Sequence, residues 1–181
     1  MRKLLIIFVV ALQILMLAFM AGQREYVLRT GKTIYLRTVP VDPRDLFRGD
    51  YVTLRYEIST IAESHLRDEL SKIANNDYMR DKKIYVVLKV DANDVADILY
   101  ATDKKPQKGA IYICGRIAYP TSGFMFGVEY KTINVRYGIE AYFVEQGKGR
   151  QLEQRRRNNT PFREAEIALG SNGIAVIKGF R

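Results

Sequence analysis

The chain is poor in the residues from which most catalytic and metal sites are built. Its 181 residues include no tryptophan, one cysteine (Cys114) and one histidine (His65). One cysteine excludes an intrachain disulfide and a cysteine-based zinc cluster, and His65, which we place on a solvated helix face, has no second histidine to share a metal with. Cys114 lies in an apolar run, which favours a small buried side chain over a reactive thiol.

Sequence signatures of common enzyme classes are also missing. There is no phosphate-binding loop, no dinucleotide fingerprint and no Ser-His-Asp set. Residues 147–149 read Gly-Lys-Gly, but the pattern that a phosphate-binding loop requires does not follow them. The sequence therefore predicts no cofactor and no metal, and it favours a protein without enzymatic activity.

One long hydrophobic run stands at the N-terminal end. Residues 4–21 are apolar except for Gln13, and Arg2 and Lys3 precede them. At about 1.5 Å per residue, a helix of this length just spans a bilayer core of roughly 30 Å. A cleavable signal would need small residues before its cleavage site, but Phe19 lies at −3 if cleavage follows Ala21. The sequence predicts an uncleaved signal-anchor over residues 1–22.

The orientation of this anchor follows from its layout. Basic residues flank it on both sides, so charge counting alone does not decide the matter. The basic pair Arg2 and Lys3 directly abuts the apolar run, as in a signal sequence, and long downstream domains translocate largely regardless of their charge. We expect the anchor to lie in the membrane that encloses the cytoplasm, with residues 23–181 as one extracytoplasmic domain.

The formal net charge of +9 is mostly dispersed along the chain. One dense basic patch stands out, and it consists of Lys148, Arg150, Arg155, Arg156 and Arg157. No aromatic residues are interleaved there, so the patch does not predict nucleic-acid binding. It is interpreted as a solvated helix face, with attachment to anionic lipid as a further option.

Hydrophobic periodicity predicts an α+β domain. The expected strands and helices, in order, are strands at 26–29, 33–37 and 51–58, a helix from Thr60 to Ala74, a hairpin of 84–90 with 95–102, a strand at 110–119 with a turn at 120–123, a strand region at 133–144 interrupted by Gly138, a short helix at 150–157, and a hairpin of 162–169 with 174–180. These elements predict a mainly antiparallel sheet or partly open barrel with two helices behind the membrane helix. The order strand, helix, hairpin occurs twice, which allows an internal duplication.

Residues 49–56 form the most distinctive motif, Gly-Asp-Tyr-Val-Thr-Leu-Arg-Tyr. Alternation along the predicted strand puts Leu54 and Tyr56 in the core and Tyr51 on the surface. Gly49 and Asp50 form the turn before the strand.

At every fixed position this octapeptide resembles the GDYXXLXY family of membrane-anchored bacterial proteins. The chain also resembles this family in the segments at 40–46, 136–140 and 142–147. The resemblance implies a single anchor with an extracytoplasmic domain, and it implies no particular reaction.

Three carboxylates near the motif, Asp42, Asp45 and Asp50, allow a second interpretation. They could bind a divalent cation or share a proton, or they could cap a helical turn and bond loop N–H groups. The segment is also faintly similar to the strand that follows the nucleophile in signal-peptidase-like serine proteases. Residues 39–43 contain no serine, so that chemistry is not supported.

From these patterns we predict a non-enzymatic accessory or interaction module that works with an integral membrane partner. Its recognition surface is predicted to include Arg48, Asp50, Tyr51 and Arg55. The alternative is an envelope ligand-binding or hydrolytic domain that uses Asp42, Asp45 and Asp50.

Overall fold

A long helix leads into the folded part of the protein. The computed structural model describes residues 2–39, 51–72, 80–125, 128–143 and 164–181. Helix α1, Arg2–Thr30, is long and apolar enough to cross a membrane, and none of its most apolar stretch is buried. The predicted strand at 26–29 is wrong, because α1 continues through it. An i,i+4 ion pair from Arg29 to Glu25 (2.6 Å) and the burial of Val27 against the domain stabilise this last part of the helix.

Eleven strands are found among the described residues. They are β1 (Lys32–Val39), β2 (Tyr51–Thr53), β3 (Arg55–Tyr56), β4 (Thr60–Ala62), β5 (Lys83–Val90), β6 (Ala96–Thr102), β7 (Tyr112–Met125), β8 (Val128–Arg136), β9 (Ala141–Phe143), β10 (Glu164–Leu169) and β11 (Ala175–Phe180). Their order is β11-β10-β1-β3 in one sheet, β4-β8-β7-β5-β6 in the second, and β2-β9 in a separate ribbon. Every pairing between these strands is antiparallel.

The two larger sheets join into a nearly closed barrel. A single 3₁₀ turn, Glu57–Ser59, carries the chain from β3 in the first sheet to β4 in the second. At the other side, an isolated bridge links Tyr35 of β1 to Val95, the residue before β6. The path β1-β3-β4-β8-β7-β5-β6 therefore returns to its start, and the predicted partly open barrel is confirmed at this level.

The core lies inside the barrel and follows the period of two that a strand imposes. On β5, Ile84, Val86 and Leu88 are 0%, 0% and 4% exposed, and on β7, Ile113 and Ile117 are both 0% exposed. Their neighbours Lys83 and Arg116 are exposed on the outer face. Because each buried aliphatic side chain contributes roughly 1.5–3 kcal/mol, this alternation fixes the strand register.

The helix predicted from Thr60 to Ala74 is wrong where it can be compared. Thr60–Ala62 is β4, and two 3₁₀ turns follow at Glu63–His65 and Asp68–Lys72. Ile61, Leu66 and Leu70, whose spacing in the sequence fits one face of a helix, are nevertheless buried. The first of them pairs with β8 rather than with the next helical turn, and Asp68 has φ +56°, which an α-helix does not allow. His65 consequently lies in a half-buried turn.

Only α1 is α-helical among the residues described, and the second predicted helix, at 150–157, lies outside them. The strand–helix–hairpin repeat therefore lacks its helix in the first unit, although both hairpins, β5–β6 and β10–β11, are confirmed.

The turn predicted at 120–123 is also wrong, because β7 continues through it to Met125. Pro120 pairs with Ile133 of β8. Beyond Ile117, whose backbone still bonds to residues 81 and 82, β8 is the only described strand that pairs with β7. A strand edge without a ladder partner tolerates proline. A bulge between Ile117 and Tyr119 lies just before this section.

Candidate functional site

The octapeptide motif at 49–56 is divided between an outer ribbon and the core. The predicted continuous strand at 51–58 is interrupted at Leu54 and ends at Tyr56. Leu54 and Tyr56 are 7% and 1% exposed, which confirms the prediction that both belong to the core. Tyr51 begins β2, and Gly49 and Asp50 lie outside the described residues.

Two buried tyrosines cross-link the motif to the loop after β8. The hydroxyl of Tyr56 donates to the carbonyl oxygen of Ile139 at 2.7 Å, and the hydroxyl of Tyr137 donates to that of Ile58 at 2.5 Å. The backbone N–H of Leu54 also donates to Glu140 O at 2.7 Å. We call the reciprocal pair of hydroxyl bonds the tyrosine clamp. It joins residues 54–58 to residues 136–140, two segments that the sequence shows far apart.

A tight loop presents Tyr137 to the clamp. Gly138 has φ +80°, a conformation that glycine adopts without strain. The carboxylate of Glu140 accepts hydrogen bonds from the backbone N–H groups of Tyr137 and Gly138 and so closes the loop. Burial, reinforced by the charge of Glu140, raises the pKa of both Tyr56 and Tyr137 well above the usual value. Both phenols therefore remain neutral hydrogen-bond donors even at alkaline pH where a free tyrosine would ionise.

The first half of the motif lies on a separate two-stranded ribbon. Tyr51, Val52 and Thr53 of β2 pair with Phe143, Tyr142 and Ala141 of β9. Neither strand pairs with any other described strand. The ribbon is thus attached to the barrel through Leu54 on one side and the Glu140 loop on the other.

A groove of about 530 Å³ runs beside the clamp on the outer face of the barrel. Its lining residues are Lys83, Cys114, Gly115, Arg116, Arg136, Tyr137, Gly138 and Glu140. Gly115 permits the close packing beneath it, because a Cβ there would lie 2.5 Å from Val135 Cγ1.

Three cations cross the groove in a single row. Lys83 of β5 is directly opposite Arg116 of β7, and Arg116 is directly opposite Arg136 of β8. We call Lys83, Arg116 and Arg136 the basic row. The sequence did not reveal it, because these residues are far apart along the chain and only the strand register places them side by side. The outward alternation of each strand was the one available signal.

Cys114 lies half-buried at one end of the groove. Its thiol donates to Asn172 O at 3.4 Å. Burial raises the pKa of the thiol, an effect that the charges of Lys83 and Lys105 partly offset. A raised pKa disfavours the thiolate, in agreement with the predicted unreactive thiol.

A second cavity, of about 380 Å³, lies where α1 meets the barrel. Tyr26, Val27 and Thr30 of the helix line one side, and Tyr112, Leu169 and Gly170 line part of the other. Val27 is 4% exposed and is the one buried residue of α1. Val27 packs at this junction, and the end of α1 lies against both β10 and β11.

Most of the site residues predicted from the sequence lie outside the described residues. These are Asp42, Asp45, Arg48, Asp50 and the basic patch of Lys148, Arg150, Arg155, Arg156 and Arg157. Arg55 is exposed, as a recognition residue requires, but its guanidinium Nη2 donates to Thr60 Oγ1 at 2.9 Å and Asn134 Oδ1 at 3.3 Å. In the described part of the chain, no group of three or more His, Cys, Asp or Glu side chains could hold a metal ion.

Fold and site together define a small β-barrel domain carried on an apolar N-terminal helix. The family model described as GDYXXLXY protein matches residues 13–180. The chain therefore belongs to the GDYXXLXY family, as the motif predicted. Neither the curated proteins nor the solved structures provide a significant match. The last two fixed positions of the family name, Leu54 and Tyr56, are the residues that join the motif to the core and the clamp.

Proposed function

We propose that this is a single-pass protein of the bacterial cytoplasmic membrane, with an anchor at residues 1–22 and one periplasmic domain at 23–181. The support comes from α1, whose large apolar side chains between Leu4 and Met20 are all at least 41% exposed. Such a surface is stable in lipid or against other membrane helices, and not in water. Arg2 and Lys3 lie at the end assigned to the cytoplasm.

Within this arrangement the protein acts as a non-enzymatic accessory module that binds an integral membrane partner. The observation that carries this function is the continuity of α1 with the barrel. The helix runs unbroken to Thr30, and Val27 docks its last turns on the domain. An anchor fixed in this way holds the barrel at the membrane surface, where the β2–β9 ribbon, with Tyr51, offers strand edges that no other described strand covers.

The orientation is tested by labelling a single introduced cysteine. Lys108 lies in an exposed turn between β6 and β7. In a Cys114→Ser background, Lys108→Cys is expected to react with a membrane-impermeant maleimide in intact spheroplasts as fast as in lysed ones. Labelling that requires lysis would place the barrel in the cytoplasm and overturn the proposed orientation.

The interaction is tested with a photo-crosslinking amino acid at position 51 of the full-length protein in its native membrane. One dominant cross-linked polytopic protein is expected. Tyr119, 50% exposed on β7, provides the matched control position, and a crosslinker there is expected not to capture the same protein. Equal capture from both positions, or none from position 51 in folded and anchored protein, would contradict a partner site on the ribbon.

A further inference from the structure

The basic row is an arrangement that a sheet does not favour by itself. Like charges directly opposite each other on neighbouring strands are destabilising. Here two such pairs are consecutive, Lys83 with Arg116 and Arg116 with Arg136. All three side chains are exposed on the outer face of the barrel and line the same groove. A negative charge held against the row would offset this repulsion.

One residue, Asp81, holds both arginines in position. Its carboxylate Oδ1 accepts from Arg136 Nη2 at 2.9 Å, and its backbone carbonyl accepts from Arg116 Nη1 at 2.9 Å. Asp81 has φ +64°, in the left-handed region that aspartate tolerates better than most residues. The turn before β5 thus orients the two guanidinium groups. No other carboxylate forms a salt bridge with the basic row in the part of the chain described.

The geometry points to a binding site for a phosphate-type anion in this groove, and we propose that the basic row holds it. Two guanidinium groups offer the planar pairs of N–H donors that bind phosphate oxygens, and Lys83 adds a third positive charge. Neighbouring strands are about 4.8 Å apart, so the row extends roughly 10 Å. That width exceeds one carboxylate and suits linked phosphoryl groups. The groove volume of about 530 Å³ is large enough for such a ligand.

The direct test measures binding of inorganic pyrophosphate to the full-length protein in neutral maltoside micelles by titration calorimetry. The wild-type protein is expected to bind saturably and more weakly as salt is added. Arg116→Gln and Arg136→Gln are each expected to lower the affinity about tenfold or more, because each removes charge-assisted hydrogen bonds. Circular dichroism and thermal unfolding verify that the variants are folded.

Lys89 supplies a charge-matched control on the same strand. It is exposed on β5, about six residues from Lys83 at roughly 3.3 Å per residue. Lys89→Gln removes one positive charge and is expected to change the affinity by less than about twofold. Lys83→Gln, which removes no hydrogen bond of the fold, is the second variant if Arg116→Gln does not fold. No saturable binding to the wild type, or equal losses for Lys83→Gln and Lys89→Gln, would overturn the assignment.

The phosphate group can belong to a soluble compound or to a lipid headgroup, and both would confirm the site. The two sources are distinguished with full-length protein carrying isotope-labelled arginine in nanodiscs. The side-chain signals of Arg116 and Arg136 are recorded in phosphatidylcholine discs and in discs that also contain phosphatidylglycerol. Signals already shifted by phosphatidylglycerol alone would identify a lipid headgroup, and signals that respond only to added pyrophosphate would identify a soluble ligand. Signals that respond to neither would overturn the site.

Discussion

Replacing Tyr137 with phenylalanine removes one hydroxyl group and leaves the carbonyl oxygen of Ile58 without its donor. Tyr137 and Ile58 are only 8% and 3% exposed, so water cannot readily take the place of the lost donor. An unsatisfied buried acceptor costs about 1–3 kcal/mol. Tyr56→Phe removes the reciprocal bond to Ile139. Each variant is therefore expected to lower the free energy of unfolding by about 1–3 kcal/mol.

The reciprocal geometry predicts that the two losses are not additive. Both bonds of the tyrosine clamp join the same two segments, so the first replacement loosens the contact that the second bond stabilises. Residues in one hydrogen-bond network typically couple by about 0.5–3 kcal/mol. The double variant is expected to lose at least about 0.5 kcal/mol less than the sum of the single variants.

Urea unfolding of the full-length protein in neutral micelles, followed by tyrosine near-ultraviolet circular dichroism, measures these free energies. Tyr119→Phe is the control, because Tyr119 is 50% exposed, and it is expected to change stability by less than about 0.5 kcal/mol. A single-variant loss below about 0.5 kcal/mol, or additivity within about 0.3 kcal/mol, would refute the reasoning.

The remaining predictions concern pH, packing, the thiol and the helix. Because the pKa of Tyr137 is raised in the native state, its stabilising contribution is complete below the unfolded pKa near 10 and is lost as pH rises above it, by about 1.4 kcal/mol per pH unit. Tyr137→Phe should reduce the fall of the urea midpoint with rising pH above about 10. An unchanged pH dependence of the midpoint would contradict this prediction. Gly173 and Gly109 both have positive φ, but of the two only Gly173 would place a Cβ 2.6 Å from a ring carbon of Tyr112. Gly173→Ala is therefore expected to lower the free energy of unfolding by at least about 2 kcal/mol more than Gly109→Ala. Native Cys114 should react with iodoacetamide more slowly at neutral pH than in denaturant, and equal rates would count against its burial. Val27→Ala removes buried side-chain atoms where α1 packs on the barrel, so it should speed limited tryptic cleavage at the end of the helix. Gly22→Ala is the control, because a Cβ at Gly22 would meet no atom within 4 Å, and it should leave the cleavage rate unchanged.

Strong local signals allowed several elements to be predicted from the sequence. The long apolar run at 4–21 predicted the helix that begins at Arg2. The Asn-Gly pair at 172–173 predicted the β10–β11 hairpin, in which Gly173 has φ +79°. The apolar run at 84–90, followed by a polar turn at 91–94, predicted β5, and the motif predicted the family and the burial of Leu54 and Tyr56. In each case the deciding physics acts within a few residues of chain.

The errors occurred where tertiary pairing outweighs local preference. Thr60 with Glu63 three residues later, and apolar residues at 61, 66 and 70, form a pattern typical of a helix. Pairing of Thr60–Ala62 with β8 instead closes the barrel, and the same apolar side chains are buried. The proline and glycine at 120 and 123 are typical of a turn, yet β7 extends through both, paired with β8 alone among the described strands. Pairing with distant strands of the barrel determined the structure of these two segments. No short stretch of sequence contains that information.

The candidate sites show the same division. The sequence by itself determined an anchor-like helix, a mainly antiparallel domain and which motif residues are apolar or aromatic enough to be buried. Only the tertiary structure decided that Tyr56 and Tyr137 bond to each other's segments and that Lys83, Arg116 and Arg136 form one row. Local sequence sets which way each side chain alternates along its own strand, but the partner across the sheet depends on register between distant strands. Burial of the inward-facing apolar residues fixes that register only when the whole barrel forms.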